Sequence, residues 1–61
     1  MKILKVRESS FDRINKFQKL LFQNGINNTV ESKGDGLYLK VKEKDLDRVL
    51  YLAKKNNVYF Y

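Results

Sequence analysis

The side chains of this sequence that could do chemistry are scattered carboxylates, lysines, tyrosines and two adjacent serines. There is no histidine and no cysteine, so the chain lacks the usual general base and the thiolate ligands of metal sites. Ser9 and Ser10 therefore have no base with which to form a nucleophilic triad. Asp45 and Asp47 fall at the expected start of a helix, where capping explains them better than proton transfer. We predict no catalysis, no cofactor and no metal.

Binding is the other chemistry that the composition favours. Ten lysines and three arginines give a net charge of +6, which suits anionic partners such as nucleic acid or an acidic protein surface. A charge of this size is also ordinary for the solvated surface of a small domain. The last six residues, "NNVYFY", contain three aromatic rings. Whether those rings can bind anything depends on the elements that carry them.

Four segments have the pattern of β-strands. Residues 2–7 and 37–42 alternate apolar and polar side chains, as half-buried strands do, and residues 58–61 continue that pattern at the end of the chain. Residues 26–32 form a weaker strand. The "KGDG" of residues 33–36 could cradle a phosphate, but no nucleotide-binding fingerprint surrounds it, so we interpret it as a hairpin turn.

Two amphipathic helices separate these strands. The first is predicted over residues 10–24, after a serine that resembles an N-cap, and Gly25 suits its C-terminal stop. The second is predicted over residues 43–57, with acids at its start and lysines at its end. Tyr51 and Leu52 should lie off its buried stripe. Helical spacing assigns these residues to the two buried stripes: Phe11, Ile14, Phe17 and Leu21, then Leu46, Val49, Leu50 and Ala53.

The resulting order, β-α-β-β-α-β, predicts an α+β fold of the ferredoxin-like type, with residues 1–61 as one domain. In this two-layer sandwich the antiparallel sheet has the strand order 4-1-3-2 and both helices cover one face. No apolar run reaches the ~20 residues of a membrane span, and the first apolar stretch is too short for a signal peptide. We expect a cytoplasmic protein. The residue usage suggests a low-GC bacterium, its phage or another mobile element.

Two helices leave the second face of the sheet open, and the alternating strands direct tyrosines and cations onto it. Such a face could pair with a second copy of the chain or with a host protein. It could instead bind nucleic acid, with bases stacked on rings and phosphates held by lysines, or it could simply be solvated. We predict association, as a homodimer, with nucleic-acid binding as the alternative. The predicted binding residues are Ile3, Lys5, Arg7, Tyr38, Lys40, Lys42, Tyr59 and Tyr61, with Asn27, Thr29 and Glu31 beside them.

The open sheet is similar in architecture to RNA-recognition modules, but not in motif. The third strand has Tyr38 as its only aromatic and the first strand has none, so that family's stacking residues cannot be transferred. Residues 17–56 resemble small prokaryotic signal-transducing domains, in which a helix ends in Leu-Leu-x-x-x-Gly-Ile and an aliphatic strand ends in Val-x-x-x-Asp. This resemblance implies a ferredoxin-like or ACT-like regulatory module without catalysis. The matching residues are Leu20, Leu21, Gly25, Ile26, Val41 and Asp45.

Overall fold

The computed structural model describes all 61 residues and contains a three-stranded antiparallel sheet. Strands β1 (Lys2–Lys5), β2 (Asn28–Lys33) and β3 (Gly36–Val41) lie in the order β1-β3-β2. Residues that face each other across an antiparallel pair share a side of the sheet. The central strand therefore places Leu39 on one side with its partners Leu4 and Val30, and Lys40 on the other side with its partners Ile3 and Thr29.

Two helices, α1 (Ile14–Gln23) and α2 (Leu46–Lys55), supply the rest of the core. Each begins one tight turn later than predicted, because Glu8–Arg13 and Glu43–Asp45 form 3₁₀ turns. The serine cap is absent: neither turn has a side-chain capping bond, and Ser10 is buried instead. Neither helix has the length and hydrophobicity needed to cross a lipid bilayer. The buried core comprises Val6, Ile14, Phe17, Leu21, Ile26, Leu39, Val41, Val49, Ala53 and Val58.

Two predicted core positions are wrong. Phe11 is 37% exposed, because Ser10 takes the inward position of the first 3₁₀ turn. Leu50 is 42% exposed, whereas Leu52, predicted off the stripe, packs against the core. On an α-helix Leu50 is rotated by about 100° from its neighbour Val49. Asp45 is buried and Leu52 is partly buried on the other side of Val49, so the inward face is turned away from Leu50.

Of the predicted fourth strand, the structure contains a single isolated β-bridge. Phe60 bridges Val6 in antiparallel sense, the Arg7 N–H donates to the Tyr59 carbonyl at 2.9 Å, and the Tyr61 N–H donates to the Lys5 carbonyl at 2.9 Å. Asn57, with φ of 57°, turns the chain out of α2 in the left-handed conformation that asparagine tolerates. The tail of residues 58–61 thus lies beside residues 5–7, at the C-terminal end of β1.

Candidate functional site

The face of the sheet opposite the helices, called the open face below, carries the predicted binding residues. The register places Ile3 beside Lys40 and Lys5 beside Tyr38. The inward positions of Val6 and Phe60 direct their neighbours outward, so that Tyr59 lies beside Arg7 and Tyr61 beside Lys5. Lys42 follows β3 and lines a shallow hollow with Thr29 and Lys40.

Tyr61 is the centre of one cluster on the open face. The Arg7 guanidinium carbon lies 4.5 Å from the ring centroid, and the Lys5 Nζ lies 5.3 Å from it. The hydroxyl donates to both carboxylate oxygens of Glu8, at 2.8 Å to Oε2. Arg7 is also held by its Nε, which donates to the Phe60 carbonyl at 3.2 Å. The tyrosine is therefore fixed by an acid and two cations.

A second cluster surrounds Tyr38. Its hydroxyl donates to Asp35 Oδ2 at 2.5 Å, and the Lys33 Nζ lies 5.1 Å from its ring centroid. Lys40 on the same strand forms an ion pair with Glu31 of β2. These bonds from Tyr38 and Lys40 lower the pKa of Asp35 and of Glu31 respectively, and the bond to Asp35 raises the pKa of Tyr38. Most polar groups of the open face are thus satisfied by one another.

Three side chains of the open face still expose apolar or aromatic surface to solvent. Ile3 is 54% exposed, Tyr59 is 48% exposed and Tyr61 is 61% exposed. No three acidic side chains come together as a metal site would require. The open face can therefore recognise a partner by packing and hydrogen bonding, and its side chains are already oriented before the partner binds.

Two carboxylates of the open face and one buried hydroxyl were missed by the sequence interpretation. Asp35 lies in the hairpin turn three residues before Tyr38, a spacing that could have indicated the pair. Glu8 and Tyr61 are 53 positions apart, and nothing local links them. The Ser10 Oγ accepts the Tyr59 N–H at 2.8 Å and anchors the tail from the inside.

Replacing Tyr61 by phenylalanine is expected to raise the pKa of Glu8 towards its ordinary value of 4.5. The hydrogen bond from Tyr61 is the largest cause that lowers the pKa of Glu8, and the same bond raises the pKa of Tyr61 above 10.0. Glu8 thus contributes stability above pH 4.5 that is lost as the pH falls through its lowered pKa. Tyr61 contributes stability below pH 10.0 that is lost as the pH rises through its raised pKa. Titration of the Glu8 side-chain carbon resonance by NMR measures the change.

Tyr59→Phe serves as the control for this titration, because the Tyr59 hydroxyl contacts Asn57 rather than an acid. It should leave the pKa of Glu8 unchanged. An unchanged Glu8 pKa in Tyr61→Phe would show that the two side chains do not bond in solution.

Comparisons with known proteins do not assign the chain to a family or give it a function. No protein-family model, curated protein or solved structure matches the chain. The resemblance to small signal-transducing domains stays a prediction. The function has to be inferred from the side chains of the open face.

Proposed function

We propose that the protein is a small non-catalytic binding or regulatory module that acts by protein association through its open face. The observation that carries this proposal is the combination of exposed Ile3, Tyr59 and Tyr61 with polar neighbours already fixed in mutual bonds. Side chains that are ordered before binding lose less conformational entropy when a partner arrives. Tyrosine and arginine are also enriched among the residues that dominate interface energetics.

A second copy of the chain is the partner that the charge pattern favours. In a two-fold dimer the same patch meets itself, so an interface of a single charge would be repulsive. The open face carries both signs and can place cations opposite carboxylates. Its cations are Lys5, Arg7, Lys33, Lys40 and Lys42, and its carboxylates are Glu8, Glu31 and Asp35.

The size of the open face supports a weak dimer. Three strands and the tail span about 19 Å across the sheet, and six residues span about 20 Å along it. The projected area of about 400 Å² corresponds to less than the ~800 Å² of accessible surface that a standard interface buries per partner. We therefore expect association in the micromolar range or weaker. A host protein with a larger complementary face could bind to the same open face.

In the associated state, we propose, residues 59–61 of the tail pair as a short fourth strand with residues 5–7 and complete the ferredoxin-like order 4-1-3-2. The Val6–Phe60 bridge and the two main-chain bonds beside it already set the register of that pairing. Pressing Tyr59 and Tyr61 against a partner would hold the tail in the extended conformation.

The double variant Tyr59→Ala/Tyr61→Ala is expected to abolish dimerisation. It removes the two largest exposed rings of the open face while Val58 and Phe60 keep the tail attached. Light scattering and sedimentation equilibrium from 10 µM to 1 mM, about the range of weak association, measure the mass. Tyr51→Ala is the matched control, because this tyrosine of α2 is equally exposed but lies outside the open face. A wild-type chain that stays monomeric at the highest concentration contradicts the homodimer.

Nucleic-acid binding by the same face is the second candidate. It is favoured by Tyr59, whose ring is half exposed with no cation over it, next to Arg7, which forms no ion pair with a carboxylate. The Tyr61 ring is a poorer platform, since Lys5 and Arg7 already lie over it. Oligonucleotide binding that the tyrosine double variant abolishes would support this candidate.

A further inference from the structure

A basic groove lies on the helical side of the molecule, away from the open face. It runs between α1 and the turn that follows α2, and it encloses about 870 Å³. The cations in its lining are Arg13, Lys16 and Lys19. Their spacing of three residues sets them about 4.5 Å apart along the helix axis, so they form a row along one wall. We call this feature the α1 groove.

The cations of the α1 groove have no acidic partners. None of the three forms an ion pair, whereas Lys40 of the open face is paired with Glu31. The Arg13 Nη1 donates to the Ser9 carbonyl at 3.1 Å, which orients the guanidinium without neutralising it. The lining contains one carboxylate, Asp12, which forms no ion pair with the three cations. Three cations against one carboxylate leave a net positive charge, and the resulting potential attracts an anion.

The rest of the lining distinguishes between kinds of anionic ligand. Asn15, Gln23 and Asn56 add side-chain amides that can donate hydrogen bonds. Of the three apolar lining residues, Phe17 and Val58 are only 2% and 3% exposed, and Leu20 is partly buried, so the floor offers little apolar surface to an anchoring side chain. A protein partner draws its affinity from such anchors. A phosphate backbone needs only cations and N–H donors.

We propose that the α1 groove binds the phosphodiester backbone of nucleic acid without reading sequence. The buried Phe17 cannot stack on a base, and contacts from cations and amides to phosphates position a nucleic acid without specifying its sequence. The proposal goes beyond association through the open face and uses the opposite side of the molecule. A dimer joined by its open faces would direct two such grooves outward.

The probes for the test are a fluorescein-labelled 20-bp DNA duplex and a 20-nucleotide strand, with binding followed by fluorescence anisotropy. Three phosphate contacts predict a slope of about −2.7 for the logarithm of the association constant against log salt on duplex DNA. The affinity should then fall about 40-fold between 50 and 200 mM salt. Absence of binding at 50 mM salt, or a slope near zero, overturns the proposal.

Lys16→Gln/Lys19→Gln locates the site, because both side chains are exposed and their loss leaves the core intact. We expect an affinity at least tenfold lower at 50 mM salt and a slope shallower by about 1.8. Lys44→Gln/Lys54→Gln removes the same net charge from exposed positions outside both the α1 groove and the open face, and should keep the affinity within about threefold. Equal losses in both variants would mean that net charge, not the groove, binds DNA. A loss of affinity in Lys5→Gln/Lys42→Gln on the open face, with none in Lys16→Gln/Lys19→Gln, also overturns the proposal.

A 20-residue polyglutamate separates phosphate recognition from recognition of an acidic peptide. Weaker binding of the peptide than of either oligonucleotide supports the phosphodiester assignment. Equal or tighter binding, with the same loss in Lys16→Gln/Lys19→Gln, overturns it in favour of an acidic protein segment. The dimer mass is measured separately, so failure of either proposal leaves the other to be judged on its own result. Thermal melts of each variant check that the fold is retained.

Discussion

Removal of residues 58–61 is expected to unfold the protein at 25 °C. The tail contributes Val58, which is 3% exposed in the core, and Phe60, which packs against that core. Full burial of a side chain such as Val58 contributes about 1.5–3 kcal/mol, and the partly buried Phe60 contributes part of such an amount. The Tyr59 N–H also satisfies the buried Ser10 hydroxyl, and a buried polar group left without a partner costs about 1–3 kcal/mol. A chain of this length is stable by only about 3–9 kcal/mol, so the truncated chain has little or no stability left.

Far-UV circular dichroism and a thermal melt measure this effect. The truncated chain should show no cooperative transition, whereas Tyr59→Ala/Tyr61→Ala should melt cooperatively, because both rings lie on the open face outside the core. A native spectrum from the truncated chain would mean that β1 and the two helices hold together without the tail.

Leu39→Ala is expected to cost about 3–4 kcal/mol of unfolding free energy, near the middle of the range for buried leucines. Leu39 is fully buried at the centre of β3, between Leu4 and Val30 on the neighbouring strands. The sheet holds these neighbours in place, so they cannot collapse into the cavity that the substitution leaves. Urea denaturation followed by circular dichroism gives the change in unfolding free energy.

Leu50→Ala is the matched control, with the same atoms removed from a side chain that is 42% exposed. We expect a loss of no more than about 1 kcal/mol. The sequence pattern alone assigns Leu50 to the core and would predict a loss close to that of Leu39. Equal losses at the two positions would show that α2 is rotated from the orientation described here.

The strands of the sheet were predictable because their signals are local. Alternation in residues 37–42 fixes which side chains of β3 face inward, and two glycines around Asp35 make the turn. The exact starts of the helices were not predictable. Serine before an apolar helical stripe is in general a good N-cap, and the sequence gives no sign that the cap is absent here. Ser10 instead bonds to Tyr59, 49 positions away, and no local signal indicates that contact.

The composition of the open face followed from the strand alternation, but its internal bonds did not. Alternation places Tyr61 and Lys5 on one side, as the structure shows. It gives no information on the acids that hold the tyrosine hydroxyls, because Glu8 lies in a turn outside any strand. The α1 groove was equally hidden: helical spacing puts Lys16 and Lys19 off the buried stripe, but only the packing of residues 56–58 against α1 gives them a shared concave wall.

The pairing of the tail with β1 has a consequence for the order of folding. Arg7 and Phe60, which this pairing brings together, are 53 positions apart. The β2–β3 hairpin, by contrast, closes across a turn of two residues. Loop-closure entropy delays contacts of high sequence separation until local ones have formed. The hairpin and helices therefore assemble first, and docking of the tail is the late step that commits the chain to its native topology.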